Sequence, residues 1–273
     1  RKSTDNGATW TPVEMVLELD HALNDGASMQ GNMFQTSKGE LVFVTDDESD
    51  TVSNTGSLVV SEDGGKTWKR RGHSSNTPDE KRIAGLHAAV IEIEDRNNDG
   101  QKDFLAIARD KGRYYDGKAP MSLSYDRGNT WERSPSVFPA ISSGKRFELI
   151  RLKYSNKSDE FSGSAPLLFV GFSDGSFKAK NGEGEISEVE GLFVAVSFDE
   201  GKTWKVENRR VMSNLKGDES MDLRTAAWQR VDPISKNVGQ DGGYMIATQT
   251  PDGLIYLTDG NIVYTFNLEW VLK

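Results

Sequence analysis

Polar residues beside four short apolar runs could act together on an acidic ligand. They are His87 near the start of LHAAVIEIE, Arg109 at the end of DFLAIAR, Arg146 at the start of RFELIRLKY and Tyr244 at the start of YMIATQT. An arginine guanidinium presents a planar fork of donors that matches a carboxylate. A tyrosine with a pKa of about 10 is almost wholly neutral at pH 7, so it needs a neighbouring base before it can act as a nucleophile. His87 is the candidate base for Tyr244, and Arg109, Arg146 and Arg224 are the candidate carboxylate-binding residues.

A second group of oxygen-bearing side chains lies in DRNNDGQKD. Asp95, Asn97, Asp99 and Asp103 surround Gly100 in a pattern similar to the first part of a calcium loop, although no terminal glutamate follows at the EF-hand spacing. An Asn-Asp-Gly hairpin tip would form without any metal. We predict a structural calcium ion here, with the solvated tip as the alternative, and we expect no cofactor for catalysis.

A repeated motif marks the turns between the strands that must position these residues. The pattern S-x-D-x-G-x-T-W begins at Ser3, Ser61, Ser124 and Ser197. Its Asp can bond backbone N–H groups of its own turn, and its Gly supplies the positive φ of a tight hairpin. Thr favours extended backbone, and Trp offers a large apolar face for burial between repeats. We therefore assign these residues to turns of the scaffold and not to catalysis.

Short apolar runs separated by Gly and polar residues accompany each motif, which is typical of a β-meander. Repeats of four strands at this spacing predict an all-β fold, a β-propeller with four-stranded antiparallel blades around a central channel. His87, Arg146 and Tyr244 would each begin an inner strand, and Arg109 would end a second strand. These four residues should then meet at one mouth of the channel, where a ligand would bind.

Composition excludes several classes of protein. The net charge of −9 argues against a general nucleic-acid or anionic-membrane surface. The sequence holds no cysteine for disulfides and no apolar run of about 18 residues that would span a bilayer. It begins at Arg1 almost inside its first motif, so we expect a mature or truncated product.

The four motifs, their order and the closing segment resemble the bacterial sialidase (neuraminidase) superfamily, whose repeats are called Asp boxes or BNR repeats. The segment MFQTSKGELVFV resembles the inner hairpin of that family, and IVYTFNLEWVL resembles its terminal strand. The resemblance covers nearly the whole chain and implies a six-bladed propeller, of which this chain holds about five blades. We expect one domain over residues 1–273 that is incomplete at its N-terminus.

The resemblance also implies roles for individual residues. VIEIEDRNNDGQKDFLAIAR resembles the hairpin ending in the family's second substrate-binding arginine, which is Arg109 here. YMIATQTPDG has the spacing of the stretch that starts with the nucleophilic tyrosine, which is Tyr244 here. The family's first arginine and its aspartate acid/base belong to the opening blade, which we expect to be missing. His87 takes the place of the family's glutamate, and Arg146 or Arg224 would have to substitute for the third arginine.

Three functions follow from these residues. The first is an exo-glycosidase that cleaves terminal acidic sugars, such as sialic acid, from glycans. The second is a polysaccharide lyase, in which histidine and tyrosine would carry out β-elimination on a uronic acid. The third is a propeller that binds glycan without turnover. The expected partner is an acidic glycan, with no nucleic acid and no membrane span, and the expected protein is an extracellular, periplasmic or cell-surface monomer.

Overall fold

The described part of the chain forms four sheets arranged as the blades of an all-β propeller. The computed structural model describes residues 1–14, 26–49, 52–72, 77–110, 114–141, 145–155, 160–181, 184–213, 229–231, 244–259 and 262–273. The innermost strand of each blade lines a central channel.

The first three blades run outward from the channel in chain order, each strand antiparallel to the one before it. The first blade holds β1 (Gly26–Gln35), β2 (Leu41–Ser49), β3 (Val52–Ser61) and β4 (Lys69–Arg71), and β5 (Ile83–Ala84) also pairs with β3. The second holds β6 (Leu86–Ile93), β7 (Asp103–Arg109), β8 (Lys118–Ser124) and β9 (Glu132–Pro139). The third holds β10 (Glu148–Arg151), β11 (Leu167–Lys180), β12 (Ile186–Ser197) and β13 (Arg209–Ser213).

The fourth blade departs from the predicted antiparallel pattern. Its inner strands are β15 (Met245–Gln249), β16 (Ile255–Asp259) and β17 (Ile262–Phe266), all antiparallel. A strand from earlier in the chain, β14 (Gln229–Val231), pairs with β17 in parallel. This pairing satisfies backbone groups that an outer edge strand would otherwise leave unpaired. The count of six blades stays a prediction, because the described residues form four.

The C-terminus was predicted to continue as a strand, and this prediction is wrong. The strand β17 stops at Phe266, and α1 (Leu268–Leu272) follows. The side chain of Asn267 accepts a hydrogen bond from the N–H of Trp270 at 2.9 Å, which is the N-cap arrangement that favours a helix start. Among the described residues, no helix is long and apolar enough to cross a membrane.

The Asp boxes join the third strand of a blade to its fourth, away from the mouth where the inner strands begin. In the second box, Asp63 accepts hydrogen bonds from the backbone N–H of Thr67 at 2.9 Å and from its hydroxyl at 2.6 Å. Trp131 and Trp204 are buried, and the Trp204 ring lies 5.2 Å from that of Phe138 on the neighbouring blade. The predicted scaffold role of these motifs agrees with this packing.

Charged side chains of two boxes also connect neighbouring blades. Arg127, which precedes the Gly of its box, donates to Glu92 at 2.6 Å and to Glu40 of the first blade. Burial acts to raise the pKa of Glu40, but the Arg71 and Arg127 guanidiniums lower it to about 2. Glu200 occupies the same box position in the third blade and accepts the backbone N–H of Glu94 at 3.0 Å. These contacts fix how adjacent blades pack around the channel.

Candidate functional site

The mouth of the channel where the inner strands begin collects the predicted site residues. His87 is the second residue of β6, Tyr244 directly precedes β15, and Arg146 lies two residues before β10. Second strands run in the opposite direction, so the ends of β2 and β7 reach the same mouth. They bring Asp46 and Arg109 to it.

Tyr244 lies between a histidine and an arginine. The His87 and Tyr244 rings meet edge to face with centroids 5.6 Å apart. The Arg146 guanidinium lies over the Tyr244 ring, 5.8 Å from its centroid. Tyr244 is 49% exposed, so a ligand in the mouth can reach it. A phenol with a base on one side and a cation on the other is therefore open to solvent.

His87 has an unusual backbone conformation. Its φ is 50°, a left-handed value that few residues other than glycine adopt, although Asn, Asp and His do so more often than the rest. The register of β6 against β7 shifts between Leu86 and Ala89, so the histidine lies in an irregular part of the strand. Gly85 before it has φ 88°, and a Cβ there would lie 2.5 Å from the carbonyl oxygen of Arg109. Strained backbone of this kind is concentrated at functional sites.

The carboxylate of Asp46 contacts His87 twice. Asp46 Oδ1 accepts a hydrogen bond from the backbone N–H of His87 at 2.7 Å. Asp46 Oδ2 lies 2.8 Å from the imidazole Nδ1. The line from Nδ1 to Oδ2 departs from the direction of a ring N–H bond, so this second contact is chiefly electrostatic. Asp46 is 3% exposed, and both contacts therefore act away from bulk water.

The two arginines of the mouth are buried, and each donates a hydrogen bond to a backbone carbonyl oxygen next to another site residue. Arg146 Nη2 donates to the carbonyl oxygen of Met245 at 2.6 Å. Arg109 Nη1 donates to the carbonyl oxygen of Lys145 at 3.2 Å, next to Arg146 in the chain. In the described part of the chain, neither guanidinium has a carboxylate within ion-pair distance. Their charge is available to an anionic ligand.

Below the mouth, the channel forms a cavity of about 700 Å³. Its wall includes Asn32, Glu148 and Ala247. Asn32 Nδ2 donates to Glu148 Oε1 at 2.8 Å and to the carbonyl oxygen of Ala247 at 3.3 Å. Burial raises the pKa of Glu148 to about 8, against the opposing effect of the charge on Arg146. Glu148 is therefore mainly an uncharged acid at neutral pH.

The predicted calcium ligands make hydrogen bonds within their own loop. Asp95 accepts backbone N–H bonds from Asn98 at 2.6 Å and from Gly100 at 2.7 Å. Asp103 accepts the backbone N–H of Arg96 at 2.7 Å, while Asn97 Nδ2 donates to Asp99 at 3.1 Å. Among the described residues, no three carboxylates or histidines cluster as metal ligands. Backbone donors of the loop itself stabilise it, and the calcium ion stays a prediction.

One predicted site residue lies outside the described residues, and two residues of the site were not predicted. Arg224, the remaining predicted carboxylate ligand, lies outside the described residues. Asp46 and Glu148 were not predicted as site residues. Asp46 lies in the acidic run DDES, whose composition is typical of a solvated segment. It also directly follows the apolar run LVFVT, and the end of that strand lies at this mouth. Glu148 lies on the strand that Arg146 precedes, but only the arginine was predicted to bind a ligand.

Four-stranded blades around a channel, with Asp boxes joining the outer strands, define an Asp-box β-propeller. A family model described as a BNR repeat-like domain matches residues 1–257. The chain belongs to this family, and its predicted membership of the bacterial sialidase and BNR propeller superfamily is confirmed.

Similar proteins include a sialidase from Bacteroides fragilis (strain YCH46), which is 32% identical over 115 residues. That match covers 41% of this chain and 21% of the relative, so the aligned part is a small share of the relative's length. Among solved structures, a protein of unknown function from Dyadobacter fermentans DSM 18053 has a TM-score of 0.56 at 17% identity, covering 96% of this chain and 60% of its own. The Hadza microbial sialidase Hz136 has a TM-score of 0.53 at 14% identity, covering 87% and 37%. These two structures show a shared fold.

Proposed function

We propose that this protein is an exo-glycosidase that removes terminal acidic sugars from glycans. The observation that carries the proposal is the contact of exposed Tyr244 with both His87 and Arg146 at the channel mouth. A carboxylate behind the histidine completes the arrangement, together with two arginines that have no carboxylate within ion-pair distance among the described residues. The sialidase relatives support this choice of substrate class.

The chemistry assigned to the residues is nucleophilic. Tyr244 attacks the anomeric carbon while His87 accepts the phenolic proton, the glycosidic bond breaks, and the leaving oxygen takes a proton from water, which recovers one from the imidazolium of His87. Water then hydrolyses the glycosyl-tyrosine intermediate. The Arg146 guanidinium lies over the Tyr244 ring, where its positive charge would stabilise negative charge that develops on the phenol. Arg109 and Arg146 bind the sugar carboxylate.

A polysaccharide lyase is a second candidate, favoured by the imidazole beside the phenol. In that reaction one group removes the proton next to a uronate carboxylate, and the other protonates the leaving oxygen. Arginine would neutralise the carboxylate and make that proton more acidic. The same residues serve both reactions, so the product distinguishes them.

The test offers sialyllactose and uronic-acid polysaccharides to the full-length protein and measures both possible products. Release of free sialic acid supports the glycosidase. New ultraviolet absorbance from an unsaturated uronate, without release of free sialic acid, identifies the lyase instead. Binding of either glycan without any product contradicts both enzymatic proposals and favours a glycan-binding propeller.

A further inference from the structure

We propose that Asp46 is the positioning residue of the site, setting both the backbone of His87 and the proton on its imidazole. The carboxylate favours a proton on Nδ1, which leaves Nε2 as the acceptor on the ligand side. The catalytic consequence of this inference rests on the proposed function. The arrangement of Asp46 and His87 is independent of it.

The geometry argues for a dedicated carboxylate. One oxygen accepts the backbone N–H of His87 at 2.7 Å, and the other lies 2.8 Å from Nδ1. The first contact holds a residue whose φ of 50° is otherwise unfavourable. The second acts on the ring of the same residue. A single buried side chain of the first blade therefore determines the conformation of a residue of the second.

The chemical type of Asp46 also matters. When Nδ1 carries the proton, both groups of His87 that contact the carboxylate are positively polarised, the backbone N–H through a hydrogen bond and the ring through electrostatic attraction. A carboxylate has two acceptor oxygens, whereas an asparagine has one acceptor and one NH₂ donor. Asp46→Asn would therefore place a donor against one of these two groups. The cheapest response is to move the ring proton from Nδ1 to Nε2, which removes the acceptor that the proposed reaction needs.

The next residue provides a matched control. Asp47 lies on the opposite face of β2, because successive side chains of a strand alternate. Its Oδ1 accepts the hydroxyl proton of Ser57 at 3.0 Å, within the first blade. Asp47 is as buried as Asp46. Asp47→Asn changes the same chemical group in the same strand and leaves the contacts of His87 in place.

The test is ¹⁵N NMR of the histidine side chains in the full-length protein without substrate. His87→Gln identifies the His87 signals among the three histidines. We expect neutral His87 to carry its proton on Nδ1 in the wild type and in Asp47→Asn, and on Nε2 in Asp46→Asn. An Nε2 proton in the wild type overturns the proposal even if Asp46→Asn does not fold. An unchanged tautomer in folded Asp46→Asn also overturns it.

Kinetics separate this inference from the proposed function. If the protein releases sialic acid, Asp46→Asn should lower kcat by on the order of 10²- to 10⁴-fold, by analogy with the wrong-tautomer effect in catalytic triads. KM should change little, because Asp46 is buried beside His87 and is not one of the proposed carboxylate-binding residues. If the wild type turns over no sugar but the tautomer shifts as described, the positioning role stands and the glycosidase proposal fails. If turnover is unaffected in Asp46→Asn, the positioning role fails and the glycosidase proposal stands.

Discussion

His87 adopts a left-handed backbone with φ 50° while its N–H donates to Asp46 Oδ1 at 2.7 Å. The two residues belong to adjacent blades, so a contact between blades maintains a conformation that the histidine alone would avoid. The imidazole is thereby directed to the mouth beside Tyr244. Local stability and the candidate chemistry depend on the same residue.

Replacing His87 by glycine should therefore stabilise the fold relative to replacing it by alanine. Glycine adopts positive φ without the Cβ penalty, which is about 1 kcal/mol for other residues. The free energy of unfolding, measured by urea denaturation, should be higher for His87→Gly than for His87→Ala by about that amount. Ala88→Gly, at the next residue of β6, should instead lower it. Equal stability of the two His87 variants would show that the residue is not strained.

Arg146→Lys should weaken binding of acidic sugars. Lysine keeps the positive charge but loses the planar fork that binds a carboxylate through two parallel hydrogen bonds. We expect KM for an acidic substrate to rise about tenfold, equivalent to ~1.4 kcal/mol. The control is Arg209→Lys, because Arg209 also lies over an aromatic ring, 4.8 Å from the centroid of Phe177, but belongs to β13, the outermost strand of the third blade. A similar rise in KM for both variants would exclude a specific role for Arg146.

Because of Glu148, the free energy of unfolding should fall as pH rises. Its pKa in the folded state is about 8, above its ordinary value of 4.5, so the folded protein binds the proton more tightly than the unfolded chain. The stabilising contribution is complete below the ordinary pKa and is lost as pH rises toward 8, at up to about 1.4 kcal/mol per pH unit. Glu148→Gln should flatten this decline in denaturation experiments at pH 5 and pH 7.5. Glu132→Gln, at an exposed residue, should show the same decline as the wild type. An unaltered decline in Glu148→Gln would contradict the raised pKa of Glu148.

If the loop at residues 95–103 is a solvated tip without a calcium ion, calcium should not affect the melting temperature. Asp95 is already bonded to backbone N–H groups of Asn98 and Gly100. We expect the same Tm with calcium and with a chelator. Asp95→Ala should lower Tm under both conditions because it removes acceptors for those donors. A rise in Tm on adding calcium that Asp95→Ala abolishes would restore the metal site.

Turn chemistry made the scaffold predictable. Asp and Thr within one box need only each other and the local backbone, as Asp63 and Thr67 show. The burial of the box tryptophans depends on a neighbouring blade. Trp131 and Trp204 have one, whereas Trp10 is 58% exposed. The helix after Asn267 was missed because its apolar residues continue those of the preceding strand, although asparagine before LEWVL was an available N-cap signal.

The candidate site was predictable only where a residue begins or ends an apolar run. That rule identified His87, Arg109, Arg146 and Tyr244 at one mouth. Applied to LVFVT, the rule also places Asp46 at this mouth, but it could not assign Asp46 a role, since only the packing of two blades shows that its carboxylate meets His87. Nor could it show that the channel wall buries Glu148 and raises its pKa. Both properties arise from contacts between blades, which no local pattern encodes.

The central claim is that Tyr244 forms a covalent bond to the sugar, and mass spectrometry can test it directly. A fluorinated sialic acid that slows breakdown of the intermediate is incubated with the full-length protein, which is then digested and analysed. We predict a single glycosyl adduct on the peptide that contains Tyr244, and no adduct in Tyr244→Phe. Release of sialic acid by the wild type with the adduct on another residue, or with an undiminished kcat in Tyr244→Phe, would contradict the account.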